Sequence, residues 1–297
     1  LTIIFVNYKC DKIKFQNCLN SIKIDTEIIV VDHSHDFTLD NLVVPNNLHI
    51  RIIKNDNLGN GAGINCGIKN SNTRYVLYLD IDTILSDNFF SNLEYATKKI
   101  KDFAVLSPKL DGYYNDKKMN TTGNLSIIKF YYNKIFYKIN IKKNKHKNIK
   151  QVFWVCGAIM LIDKNNTYKK DIKFDENIFI FFEEDDFFHQ CFKLGQKIYL
   201  INDLYAKHFD GSVNDKSLDY ECFKKWHWEK SKFYFLNKHY NSVFILLIAS
   251  KSIIKFSLKM VFFYLLNKKK YYLNKSRLDG LLSLYLKKDC NIKLNIK

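Results

Sequence analysis

The sequence predicts an α/β fold, a mostly parallel sheet with helices on both faces, followed by a C-terminal helical extension. Three observations predict it. Residues 1–108 alternate between apolar runs of strand length and segments of helical length. The runs are continuously apolar, as expected of strands buried on both faces. Polar residues close each run at its carboxyl end, which in such sheets is the ligand-binding edge.

In order, "LTIIFVNY" reads as a strand, Lys14 to Ile22 as a helix and "EIIVVD" (27–32) as a strand. "LHIRIIKN" (48–55) is a strand, Gly61 to Lys69 a helix, "YVLYLD" (75–80) a strand, Asn88 to Ile100 a helix and "FAVLSP" (103–108) a strand. After a lysine-rich loop, "VFWVCGAIMLI" (152–162) reads as one long strand broken by Gly157 and Ala158. An acidic stretch opens a helix that ends near Gly195, "KIYLI" (197–201) is a strand, and residues 218–239 are helical in pattern, as is the tail beyond Asn241. This divides the chain into an α/β domain over 1–215, with halves 1–110 and 111–215, and a helical region over 216–297. No internal repeat is found.

The 297 residues are 47% hydrophobic with 2 prolines, which excludes a disordered chain. The formal charge is +17, and its location is informative. From Asn237 onward there are 13 Lys and Arg against 2 Asp, and from Asn133 to Lys150 there are 7 Lys and no acid, so the remainder is close to neutral. A nucleic-acid binder would place its lysines along the strand-end edge, where few are found, so nucleic acid is not the expected partner. An anionic membrane surface is. In "VFILLIASKSIIKFSLKMVFFYLL" (243–266), Lys251, Lys255 and Lys259 recur every fourth residue on one helical face, too costly for a span through hydrocarbon. The two readings are a helix lying in the headgroup plane and a helix pair packed on the body with a solvated lysine face. Seven cysteines without C-x-x-C spacing predict reduced thiols. With no basic n-region or cleavage site before "LTIIFVNY", the expected location is cytoplasmic, peripheral on the inner face of the cytoplasmic membrane.

The strand-end polar sets are Asn7 with Tyr8, Asp32, Asn55 to Asn57, and Asp80 with Asp82. Asp80-Ile81-Asp82 is either a cap for the next helix or a pair of hard oxygen ligands for Mn²⁺ or Mg²⁺ beside a diphosphate. "NLGNGAGINCG" (57–67) lacks G-x-G-x-x-G spacing and is read as a turn where backbone approaches a nucleotide at a helix start. In "FFEEDD" (181–186), four consecutive acids exceed what a helix dipole requires. Mutual repulsion and phenylalanine neighbours would raise the pKa of one of them, as suits a general base. His208, with Gly211 and Ser212, is a candidate metal or phosphate contact or a structural histidine.

The ordered set "IIFVNY", "VVDHS", "NLGNGAGINCG", "YLDID", "GAIMLI", "FDENIFIFFEEDD" and "HFDGS" resembles the family 2 glycosyltransferases of GT-A fold, in particular the group containing bacterial rhamnosyltransferases. The resemblance covers residues 1 to about 215 and implies a Rossmann-like nucleotide-binding half. It also implies inverting transfer from a UDP- or dTDP-sugar to a glycan or lipid-linked acceptor, with a divalent cation on the D-x-D. By resemblance, Tyr8 and Asp32 hold base and ribose, and Asn57, Gly59 and Asn65 line the nucleotide. Asp80 and Asp82 flank metal and diphosphate, with His208 as a further metal candidate, and Gly157 and Ala158 border the acceptor. The family's E-D falls on Glu183-Glu184 in ungapped alignment and on Glu184-Asp185 with a one-residue slip, so Glu183, Glu184 and Asp185 are the candidate bases. The family's usual arginine is Gln190 here. Two rival readings are a nucleotidylyltransferase, which expects a glycine-rich basic loop where "NYKCDKIKF" stands, and an inactive family member acting as a structural partner.

Overall fold

In the computed structural model, residues 1–111, 113–114, 117–118, 148–209, 217–290 and 292 are described. Most of the basic loop (133–147) and Gly211 and Ser212 lie outside the described residues. The strands are β1 (Thr2–Asn7), β2 (Thr26–Asp32), β3 (Leu48–Lys54), β4 (Tyr75–Leu79), β5 (Thr83–Leu85), β6 (Val105–Asp111), β7 (Tyr113–Tyr114), β8 (Lys117–Lys118), β9 (Ile149–Val152), β10 (Ile159–Asp163) and β11 (Ile198–His208). The helices are α1 (Lys12–Asn20), α2 (Asn60–Asn70), α3 (Phe89–Lys99), α4 (Glu183–Lys193), α5 (Leu218–His239), α6 (Ser242–Leu266) and α7 (Lys268–Leu286).

The chain divides into two units. The first comprises 1–174 and 184–213, the second 175–183 and 214–297. In the first, a nine-stranded sheet runs β3-β2-β1-β4-β10-β6-β11-β5, with β9 pairing β11. Strands β1 to β4 are parallel where they pair, and β6 and β11 are parallel. β10 inserts antiparallel between β4 and β6, and β5 and β9 are antiparallel to β11. β7 and β8 form a separate antiparallel pair.

Strand alternation divides the core. Ile3, Phe5, Leu77 and Leu79 join the cluster that includes Phe15 of α1 and Phe89 of α3. Ile4, Val76 and Tyr78 join the opposite cluster with Ile64 of α2 and Phe187 of α4. Gly63 and Gly67 let α2 approach β1. A β-carbon on Gly63 would meet Val6 at 2.7 Å, and one on Gly67 would meet Ile4 at 2.5 Å.

Two strands differ from the sequence expectation. "VFWVCGAIMLI" forms two separate strands of the same sense, because the segment through Gly157 and Ala158 carries the chain from β9, paired with β11, to β10, paired between β4 and β6. "KIYLI" continues as β11 to His208, through a register irregularity between Ile201 and Tyr205. Such bulges re-aim the strand beyond them, and here the re-aimed end pairs with β5.

The second unit is largely helical. Within it Ser217 caps α5 by accepting from Tyr220 N, and Asn241 caps α6 by accepting from Val243 N. Trp228 packs edge-on against Phe181 and Phe182, two residues with left-handed backbone (φ 64° and 67°).

Candidate active site at the carboxyl edge of the sheet

The parallel register places the strand ends side by side, with Asn7 opposite Asp32 and Asp32 opposite Lys54. β4 pairs β1 in the same direction, so Asp80 follows its strand on this edge. Antiparallel β10 begins here, and the Asp80 amide donates to the Ala158 carbonyl at 2.8 Å. Asp80, Asp82, Gly157 and Ala158 are therefore neighbours.

β11 brings the next group. Its last residue, His208, pairs in register with Thr83, and the Phe209 amide donates to the Asp82 carbonyl at 3.0 Å. His208 Nε2 lies 3.1 Å from Asp82 Oδ1 and 3.4 Å from Asp80 Oδ2. Behind them the Thr83 hydroxyl donates to the Asp80 carbonyl at 2.7 Å, fixing the D-x-D turn. Burial alone would lower the His208 pKa, but the hydrogen bonds to Asp80 and Asp82 outweigh it and push it up to about 10. Burial raises the Asp82 carboxyl above the usual range, and the hydrogen bond from His208 works against that. Its Nδ1 is buried with no partner among the described residues.

These three side chains could hold a metal ion. Their ligand atoms all lie within 4.8 Å of one another. Two carboxylate oxygens and one imidazole nitrogen are a donor set for Mn²⁺ or Mg²⁺. The 3.1 and 3.4 Å separations are close to the roughly 3 Å between adjacent ligands of an octahedral ion with bonds of about 2.1 Å. The residues fit the ion.

Glu184 approaches the same place. A β-carbon on Gly157 would lie 3.4 Å from Cδ and Oε1 of Glu184. The Cys156 thiol, pushed up to about 12 first by burial, is also raised by the charges of Asp80, Glu184 and Asp82, which gather around it. The other acids of the run leave the helix at 100° steps from one another. Asp186 is fully buried and accepts from Gln190 Nε2 at 2.7 Å. The Asp185 carboxyl is held well above the usual range, first by burial, then by repulsion from Glu184 and Asp186. Glu183 is buried and belongs with the second unit.

The remaining candidates divide into two sets. Tyr8 is exposed beyond β1, Asn57 is half-buried, and Gly59 takes φ 109° at the start of α2. Asp32 and Asn65 are occupied by their own chain. Asp32 is fully buried. It accepts from Asn7 Nδ2 at 2.8 Å, from the Ser34 amide and hydroxyl at 3.0 and 2.5 Å, and from the Phe37 amide at 3.0 Å. Although burial opposes it, these bonds hold its pKa below the usual range. The Asn65 amide donates to the Phe174 carbonyl at 2.9 Å, and its oxygen lies 2.5 Å from the Tyr168 hydroxyl. Sequence reasoning missed Tyr78 and Asn60. The Tyr78 hydroxyl donates to Asp80 Oδ1 at 2.6 Å and lies 3.1 Å from Asn60 Oδ1. Strand alternation, which puts Tyr78 on the face of Asp80, was the available signal.

Residues 2–166 match the model of glycosyl transferase family 2. The chain belongs to that family. It is a glycosyltransferase, and its Glu184 and His208 lie beyond the matched segment. No curated protein sequence matches the chain. Solved structures give the fold. One of GalNAc-T7 with UDP, GalNAc and Mn²⁺ matches at 15% identity and TM-score 0.54, over 79% of this chain and 49% of the other. S. aureus TarS 1–349 in complex with UDP-GlcNAc matches at 16% identity and TM-score 0.51, over 100% of this chain and 96% of the other. A longer TarS structure is covered to 54% at TM-score 0.52, so the glycosyltransferase spans about half the length of two of these structures. All three relatives support the GT-A arrangement, a mostly parallel sheet with helices.

Proposed function

We propose that the chain transfers a hexose, rhamnose-like or other, with inversion from a UDP- or dTDP-sugar to a glycan or lipid-linked acceptor of surface polysaccharide synthesis. The observation that carries this is the gathering of Asp80, Asp82, His208 and Glu184 at one sheet edge, across Gly157. UDP and UDP-GlcNAc in the TarS structures, and UDP with Mn²⁺ in GalNAc-T7, favour a uridine diphosphate donor.

In this reading Asp80, Asp82 and His208 hold Mn²⁺ or Mg²⁺, and Tyr78 orients Asp80 by bonding one oxygen and leaving the other to the ion. When bound, the ion neutralises charge growing on the departing diphosphate. Glu184 takes the proton from the acceptor hydroxyl, whose oxygen attacks the anomeric carbon opposite the diphosphate. Gly157 and Ala158 leave space for the acceptor beside Glu184. Tyr8 contacts the base and ribose, and Asn57 and Gly59 line the nucleotide. Asp32 and Asn65 act there through the loops they hold, Asp32 fixing residues 34–37 and Asn65 fixing Phe174. The place of work is the inner face of the cytoplasmic membrane, consistent with the basic tail.

A screen of nucleotide sugars for Mn²⁺-dependent release of nucleoside diphosphate tests the reading. Release with one donor class, lost in Asp82→Ala, is expected. Absence of release and of nucleoside diphosphate binding would leave the inactive structural partner as the better description.

A further inference from the structure

Helix α6 has two apolar faces, and among the described residues only one is covered. Ile245, Ala249 and Phe256 are buried. Val243, Leu247, Ile254, Leu258, Val261 and Leu265 are exposed, Ile254 to 60%, Leu258 to 66%, Val261 to 78% and Leu265 to 89%. Their spacings of four, seven, four, three and four keep all six within about 60° of one another, on the side opposite the buried three. Apolar residues scattered singly on a surface need no partner, but a continuous stripe along 25 residues of helix does.

Lys251, Lys255 and Lys259 are exposed and border one side of this stripe, and Lys268, Lys269 and Lys270 follow its end. No helix among the described residues is long and apolar enough to cross a membrane. A second copy of α6 would offer the lysines no anionic partner, since the helix holds no acid. A surface that is apolar within and anionic at its rim matches both features at once.

We propose that α6 lies along an anionic lipid surface, with the Val243–Leu265 stripe among the upper acyl chains and the three lysines at the phosphates. The inference deepens the reading of a membrane-borne acceptor and rests on it for purpose, whereas the binding itself needs no catalysis.

Flotation of the full chain with vesicles tests it. The chain should float with phosphatidylcholine–phosphatidylglycerol vesicles, not with phosphatidylcholine alone, and salt should weaken the binding. Replacing Ile254, Leu258 and Val261 together by Asn should abolish flotation. Replacing Lys251, Lys255 and Lys259 by Gln should weaken it more than about tenfold. Thermal melting checks that the variants fold, and the salt and lipid series on the unaltered chain stands if one does not. Equal binding to neutral and anionic vesicles, flotation that survives the Asn variant, or absence of flotation overturns the proposal. In the last case, a dimer dissolved by the same Asn substitutions would identify the stripe as a contact between copies. Sugar transfer to a soluble acceptor, measured as nucleoside diphosphate release by the same variants, separates the two readings. A chain that floats but never transfers fails only as a transferase.

Discussion

The Glu184 carboxylate lies against the bare α-carbon of Gly157, 3.4 Å from where a side chain would begin. Alanine there requires Glu184 to give by a few tenths of an ångström, and valine requires more. Displacements approaching an ångström at a catalytic group cost about 10²-fold. Gly157→Val should therefore lower turnover by about that factor, and Gly157→Ala by less. Nucleoside diphosphate binding by calorimetry should stay near that of the parent in both.

Removing one of the three ligand groups should remove the metal and leave the fold. Asp82→Ala and His208→Ala are expected to lose Mn²⁺ binding by electron paramagnetic resonance and Mn²⁺-dependent UDP affinity by calorimetry. Retained Mn²⁺ affinity in Asp82→Ala would dismiss the metal assignment.

Glu184→Gln should lower turnover by about 10² to 10⁴-fold with donor binding retained. Asp185→Asn should act on stability instead. A carboxyl whose pKa is raised on folding destabilises the fold at pH above its unfolded value, and the effect vanishes below about pH 4. The Asn variant should therefore melt higher than the parent at pH 7 and equal to it near pH 3.5. If turnover falls in Asp185→Asn and not in Glu184→Gln, Asp185 is the base.

The strand-end edge was legible in the sequence because buried parallel strands are read as apolar runs, and the polar residues closing them share one side. The D-x-D and His208 were legible as chemistry, but their juxtaposition was not. It depends on β5, whose three residues give no periodic signal, and on the irregularity that carries β11 past Ile201. Which acid of 183–186 faces the site depends on helix phase, and a one-residue ambiguity rotates that by 100°. Tyr78 was passed over because a tyrosine in a strand is read as core, and its ring is indeed buried while its hydroxyl reaches Asp80.

Asp175 accepts from Lys238 Nζ at 2.6 Å, the Tyr234 hydroxyl at 2.9 Å and the Asn177 amide at 2.9 Å. Burial opposes ionisation, yet these bonds hold the pKa at about 2. A depressed folded pKa contributes stability above the unfolded value, and this is lost as pH falls from about 4 to about 2. Asp175→Asn should be less stable than the parent in urea at pH 6, and the gap should close in that acidic window.

Gly280 lets α7 approach the backbone of α5. A β-carbon there would collide with the Trp226 carbonyl, which has no side-chain freedom to yield. Gly280→Ala should destabilise the second unit by about 1–3 kcal/mol, despite the better helix propensity of alanine. Denaturant unfolding monitored by tryptophan fluorescence reads this directly.

The pairing of Thr83 with His208 gives the order of synthesis a meaning for competence. Asp80 and Asp82 leave the ribosome long before residue 208, and among the described residues β5 has no partner strand until the end of β11 exists. A nascent or truncated chain ending with the family-matched segment at residue 166 carries two of the three cation ligands and a β5 without the strand it pairs with. In the finished chain an ion held by Asp80, Asp82 and His208 would act as a clasp across more than a hundred residues, as a crosslink does for a long loop. Thermal resistance should accordingly rise with Mn²⁺ in the full chain, and should show no such rise in the fragment.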